Sequence, residues 1–186
     1  MRLADTDILI LPGLGNSAPA HWQRRWGARF PHVQFVEQEN WDRPKLGEWV
    51  ARLHQDIMLA TRPVVLVAHS LAIAAVVHTA QRLVDTKVRG AFLVAPPDLE
   101  DPAVLADLPP EIRSFSNVPR DPLPFPSLVV VSSNDAFVSL ERAADMAAAW
   151  GSELKQAGPQ GHINIASGHG PWPEGLLMLH ELMKRL

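Results

Sequence analysis

A serine hydroxyl becomes a useful nucleophile when an imidazole can take its proton and a carboxylate holds the far side of that imidazole. Three segments of this sequence supply those groups in the chain order serine, acid, histidine. The first reads V-V-L-V-A-H-S-L-A, with Ser70 between an apolar run and a helical run that continues through Ile73 and Val77. A sharp strand-to-helix turn crowds the positions two before and two after the serine, so both must be small. Here they are Ala68 and Ala72, alanines where glycines are usual. Ser70 alone among the serines sits in such a frame, although a serine that merely caps the following helix would occupy the same place.

The remaining groups follow late apolar runs. Asp135 closes L-V-V-V-S-S-N-D, and His162 lies in G-P-Q-G-H-I-N. Each has a rival. Asp98 follows an earlier run, and Asp135 could instead cap a helix that begins near Ser139. His169 stands seven residues beyond His162; His162 is preferred because it comes first and Gly161 lets its backbone turn. His21, His32, His54, His78 and His180 read as surface residues of helices or strands.

Negative charge developing on an attacked carbonyl needs backbone amides aimed at it. The amide of Leu71, after the serine, is one candidate. The other is Leu14 in the loop L-P-G-L-G-N, where Gly13 and Gly15 permit a turn. That loop lacks the third glycine of a dinucleotide fingerprint and the lysine of a phosphate loop, so nucleotide binding is not expected. Trp22, Trp41 and Trp172 fall near the expected loops and are candidates for an apolar substrate pocket, with core packing as their competing use.

These groups need a scaffold, and the hydrophobic pattern supplies an α/β one. Short runs at Asp7 to Leu11, His32 to Val36, Val64 to Ala68, Ala91 to Ala95 and Leu128 to Ser132, with a weaker one at Glu153 to Ala157, alternate with stretches of helical period. Most runs are apolar throughout, which predicts parallel strands covered on both faces. Leu46, Trp49, Val50, Leu53 and Ile57 fall on one helical stripe, as do Leu140, Ala143, Ala144 and Ala147, and again Leu176, Leu179, Met183 and Leu186. Pro19 and Pro44 mark possible first turns. The stretch Pro96 to Pro126 holds nine of the seventeen prolines and shows no sustained period, which suggests either a binding loop or an excursion along the sheet edge. Six strands with intervening helices predict a doubly wound sheet with its ligand at the carboxyl ends of the strands.

Composition narrows the chemistry further. A length of 186 residues with 47% hydrophobic and 20% charged residues suits a single domain spanning 1–186. There is no cysteine, which excludes disulfides, thiolate metal sites and a cysteine nucleophile. No metal-binding motif is present, so neither metal nor cofactor is expected. A net charge of -3 without a basic run gives no sign of a nucleic-acid or membrane partner. The sequence has no apolar stretch of membrane-spanning length and no signal-peptide pattern at its start, so a cytoplasmic location is the expectation.

The segments P-V-V-L-V-A-H-S-L, V-A-P-P-D-L-E-D-P, F-P-S-L-V-V-V-S-S-N-D, S-L-E-R-A and G-H-I-N-I-A-S-G-H-G-P-W-P-E-G resemble the small YdeN-like serine hydrolases, relatives of retinoblastoma-binding protein nine in the α/β-hydrolase superfamily. The likeness also takes in R-R-W, E-Q-x-x-W-D-R-P and W-V-A-R-L, and so runs nearly end to end. The resemblance implies a compact hydrolase with little or no cap domain, a Ser70, Asp135 and His162 triad, and small acyl esters or amides as substrates. Two departures bear on it: Ala72 replaces a usual glycine, and His169 replaces a common apolar residue. A protein-interaction module on the same fold, or a serine peptidase, are the alternative readings of the function.

Overall fold

The computed structural model describes residues 1–83, 87–106 and 108–186. Among these, six strands form one wholly parallel sheet in the order β2-β1-β3-β4-β5-β6. The strands are β1 (Asp7–Leu11), β2 (Val33–Phe35), β3 (Val64–His69), β4 (Val88–Val94), β5 (Ser127–Val131) and β6 (Glu153–Gln156). Each expected run became a strand, with ends displaced by a residue or so and by three at the start of β4.

Parallel strands need crossovers, and helices supply them: α1 (Trp22–Gly27), α2 (Leu46–Leu59), α3 (Ala72–Ala80), α4 (Pro102–Ala106), α5 (Leu140–Ala149) and α6 (Pro173–Arg185). Side chains alternate across a strand, and here both faces are buried. Leu9, Leu11, Leu66, Leu93, Val129 and Val131 pack with α2, α3 and α5. Ile8, Ile10, Val65, Val67, Phe92 and Val130 pack on the opposite face with Trp22 and Trp26 of α1 and Leu179 and Met183 of α6. Uninterrupted apolar strands are therefore the sequence mark of a two-sided core.

Pro19 and Pro44 do not occupy first turns. α1 begins at Trp22 with His21 as its N-cap, and α2 begins at Leu46 after Lys45. The prolines instead direct the chain into each helix. The proline-rich stretch is also more regular than its lack of period suggests, holding α4 and a 3-10 segment over Pro110–Phe115, with residue 107 outside the described residues. Its core anchors are Leu99, Ile112, Phe115, Leu123 and Phe125. It is a packed segment that belongs to the domain. The fold has no separate cap domain among the described residues, and none of their helices is long and apolar enough to cross a membrane.

Strand order reverses between β2 and β3 around β1, and ligands of such sheets sit outside the carboxyl ends at that switch point. The loops after β1 and β3 meet there.

Candidate active site

β3 passes directly into α3 through Ser70, whose φ of 56° lies in the left-handed region. Holding a non-glycine residue there costs on the order of 1 kcal/mol or more. The surrounding backbone enforces it: the Ser70 amide donates to the Val94 carbonyl at 2.9 Å, and Ala68 and Ala72 are almost fully buried. The loop after β1 presses against this turn. A Cβ at Gly13 would lie 2.9 Å from the Ser70 Cβ, so only glycine allows the approach.

The acid and base arrive on the loops after β5 and β6. His162 Nε2 lies 2.8 Å from Ser70 Oγ, and His162 Nδ1 lies 3.0 and 2.9 Å from the two Asp135 oxygens. The Asp135 side chain is fully buried and also accepts the Phe137 amide at 3.0 Å. With Nδ1 protonated and donating to the carboxylate, Nε2 is left as an acceptor for the hydroxyl. This arrangement can deprotonate Ser70 as the hydroxyl attacks an electrophile.

Two side chains register these loops. Ser132 Oγ accepts the Gln160 amide at 2.8 Å and donates to Asn134 Oδ1 at 2.8 Å, and Asn134 Oδ1 accepts the Gly161 amide at 2.6 Å. Gly161 has φ 57°, and a Cβ there would meet Ser167 at 2.6 Å, so its position next to His162 is closed to other residues.

The rivals are occupied elsewhere. Asp98 forms an ion pair with Arg142 at 3.1 Å, and its Oδ1 accepts the Glu100 amide. His169 is buried with its ring edge-on to Trp172 and does not line the cavity at Ser70. Ser139, and not Asp135, caps α5 by accepting the Arg142 amide.

A cavity of about 230 Å³ opens over Ser70. Gly13, Leu14 and Leu71 contribute to its wall, and no acceptor among the described residues takes the Leu14 or Leu71 amide. The Gly15 amide, by contrast, is bonded to the Trp41 carbonyl. Leu99, Leu108, Ile112, Pro97 and Phe137 form an apolar wall, and four of these come from the proline-rich segment. Among the described residues no Lys, Arg, Asp or Glu lines the cavity.

None of Trp22, Trp41 and Trp172 lines it, which corrects the expectation for all three. Trp22 is fully buried beneath the site and donates to the Ile163 carbonyl at 2.9 Å; Trp172 stacks at 7° on Trp26. Trp41 packs edge-on against Trp49. Large rings stabilise most when fully desolvated, and the core claims Trp22 and Trp172, while Trp41 is half-buried against the core on the other face of the sheet.

The expectation for His21 also needs correction: it is 5% exposed, caps α1 and borders the cavity. His69, unassigned from the sequence, is buried beside it, their ring centroids 5.1 Å apart, with His162 5.0 Å on the other side. Its Nε2 lies 2.9 Å from the His162 carbonyl, and since a carbonyl only accepts, His69 donates. Burial first, then the charge of neighbouring histidines, pushes His69 well below the usual 6.5 and His21 down to about 4. Both are neutral at pH 7. The signal that could have found them was position: His69 directly precedes the serine, and His21 opens the helix after the glycine loop.

Comparison with known proteins identifies the family and the fold. A family model described as serine hydrolase matches residues 8–181. A YdeN-like hydrolase from Pectobacterium atrosepticum is 34% identical, with 97% of this chain and 91% of that one covered at a TM-score of 0.84. The ydeN gene product of Bacillus subtilis is 20% identical over 96% and 99% of the two chains, with a TM-score of 0.73. Esterase 2 of Thermogutta terrifontis shares the fold at 16% identity, covering 100% of this chain and 85% of its own at a TM-score of 0.69. No curated protein sequence matches the chain. With the family model spanning nearly the whole sheet and every loop at its carboxyl edge, this chain belongs to the serine hydrolase family, within the α/β-hydrolase superfamily.

Proposed function

We propose that this serine hydrolase is carboxylesterase-like and cleaves small neutral acyl esters through a Ser70, His162 and Asp135 triad. Ser70 Oγ attacks the acyl carbonyl as its proton passes to His162 Nε2, and Asp135 stabilises the imidazolium through Nδ1–H. The tetrahedral oxyanion is held by the Leu14 and Leu71 amides. The imidazolium then protonates the departing alkoxide, leaving an acyl group on Ser70. Water, deprotonated by the same imidazole, attacks that acyl group, and the acid leaves as the serine is reprotonated.

The observation that carries this reading is the unbroken path of hydrogen bonds from Asp135 through His162 to Ser70, with no separation beyond 3.0 Å. A cavity wall whose described residues include no Lys, Arg, Asp or Glu supports a neutral substrate, since a charged group entering it would lose its hydration without gaining an ionic partner from them. No step requires a metal or an organic cofactor.

Labelling by a fluorophosphonate probe tests the nucleophile. The wild-type chain is expected to be labelled and to turn over p-nitrophenyl acetate, while a folded Ser70→Ala variant does neither above background. Labelling or turnover that survives the substitution refutes the assignment.

A further inference from the structure

The cavity over Ser70 has one polar wall, and its hydrogen-bonding capacity is lopsided. Asn16 Oδ1 already accepts from the Ser17 amide at 2.7 Å and from Arg24 Nη2 at 2.9 Å. Asn164 Oδ1 accepts from the Ser167 amide at 3.1 Å and its hydroxyl at 3.2 Å. His21 Nδ1 accepts the Gln23 amide at 3.2 Å, which fixes the ring proton on Nε2. The protein has thus used the acceptor of each residue.

The donors are left over. No acceptor among the described residues takes the His21 Nε2–H or either asparagine Nδ2, and none of these nitrogens is among the sealed, partnerless polar atoms of the interior. They remain open to a visitor, and all three residues line the cavity that contains Ser70. His21 is the most confined of the three at 5% exposure, and it stands against His69, the neighbour of the nucleophile. Burial keeps its ring uncharged, so it offers a neutral N–H and no cation.

Resting on the reading of Ser70 as nucleophile, we infer that the preferred substrate carries a second hydrogen-bond acceptor, an ether or carbonyl oxygen apart from the carbonyl under attack, and that His21 is the specificity-determining residue that binds it. A plain alkyl ester leaves that confined donor without a partner when it displaces water from the cavity, whereas an oxygen at the same place restores the bond. The apolar wall of Leu99, Leu108 and Ile112 takes the remaining hydrocarbon.

Two isosteric pairs test this and separate the two sides of the ester. On the acyl side, p-nitrophenyl pentanoate is compared with p-nitrophenyl 3-methoxypropanoate; on the alcohol side, butyl acetate is compared with 2-methoxyethyl acetate. Each kcat/KM is normalised to hydroxide-catalysed hydrolysis. The oxygen-bearing member of one pair is expected to be favoured about tenfold. His21→Asn keeps an acceptor for the cap of α1, but its shorter side chain draws its amide donor back from the place of Nε2, and the preference should fall to near unity. His21→Ser, also a capping residue, replaces it if circular dichroism shows that the asparagine variant is unfolded. Turnover with ratios below twofold in both pairs overturns the inference and leaves the esterase reading intact. A preference that persists without His21 overturns its assignment. Absence of turnover and of probe labelling in the wild type overturns both readings together.

Discussion

The cavity over Ser70 has two walls built by different means. The strand-end wall consists of turns tied to one another by hydrogen bonds: Ser70 to β4, His69 to the His162 backbone, and Ser132 and Asn134 to Gln160 and Gly161. The opposite wall, from the proline-rich segment, is held chiefly by buried Leu99, Ile112 and Phe115, with the Asp98 amide donating to Phe137 and Arg142 pairing with Asp98 and Glu100. Directional bonds fix atoms within fractions of an ångström, as proton transfer demands. Apolar packing fixes volume and tolerates exchange of shape. The first wall is therefore suited to chemistry and to holding a polar group of the substrate, the second to selecting its hydrocarbon by size, and substitutions should separate accordingly.

The largest effect is expected on the strand-end wall. Asp135→Asn leaves the shape of the loop but places a donor or a weaker acceptor at Nδ1, which favours the wrong tautomer of His162. A fall in kcat of about 10⁴-fold with little change in KM is expected in ester hydrolysis assays. A loss below tenfold would mean that the buried carboxylate serves only the Phe137 turn.

Acid should loosen the same wall before the other, because the buried neutral histidines lie there. Unfolded, His21 takes its proton near 6.5; folded, only near 4. The unfolded chain binds the extra proton between those values, so stability is full above about pH 6.5, falls as the pH drops toward 4 and levels off below it. The His21 contribution across that window is on the order of 3 kcal/mol. His69 acts in the same direction, its proton affinity also lowered by burial. Urea midpoints measured from pH 7.5 to 4.5 should fall steadily, and less steeply in His21→Asn. A flat profile would show that the histidine wall opens to water at little cost.

The contrast between the walls also explains what could be read from sequence. Ser70, Asp135 and His162 were legible because each lies on the turn or loop that leaves the carboxyl end of a strand, β3, β5 and β6 in turn, where topology leaves few places for a side chain to go. That Leu14 and Leu71 border the cavity was legible for the same reason. Leu108 and Ile112 were not, because a segment without period gives no phase from which to tell an inward from an outward side. The three tryptophans misled because proximity along the chain to a strand end does not distinguish a ring above the sheet edge from one beneath it. Trp22 lies beneath, one residue from His21, which does border the cavity.

Asn134→Ala sharpens the claim that directional bonds, more than packing, place the base. The substitution removes the acceptor for the Gly161 amide and the partner of Ser132 on an exposed turn, so global stability should change by about 1 kcal/mol or less. The base is released to wander, and kcat should drop by roughly 10 to 100-fold with KM nearly unchanged. Asn134→Asp, which keeps an acceptor at the same distance, should recover most of the loss. Equal rates in the alanine and aspartate variants would assign the effect to something other than this bracket.

On the apolar wall the expected effects are smaller and of another kind. Ile112 is 1% exposed and lines the cavity, so Ile112→Ala should lower stability by about 2 to 4 kcal/mol and enlarge the space over Ser70. Because no hydrogen bond of the strand-end wall involves this side chain, kcat for p-nitrophenyl acetate should stay within about threefold of the wild type. The optimum acyl length should move up by one or two methylenes, with kcat/KM for the longer esters rising up to about tenfold. A series of p-nitrophenyl esters from acetate to octanoate, read alongside a urea titration, measures both quantities on one preparation. If the length profile keeps its shape while kcat falls across the whole series, the two walls are mechanically coupled, and the division between a wall for chemistry and a wall for selection by size fails.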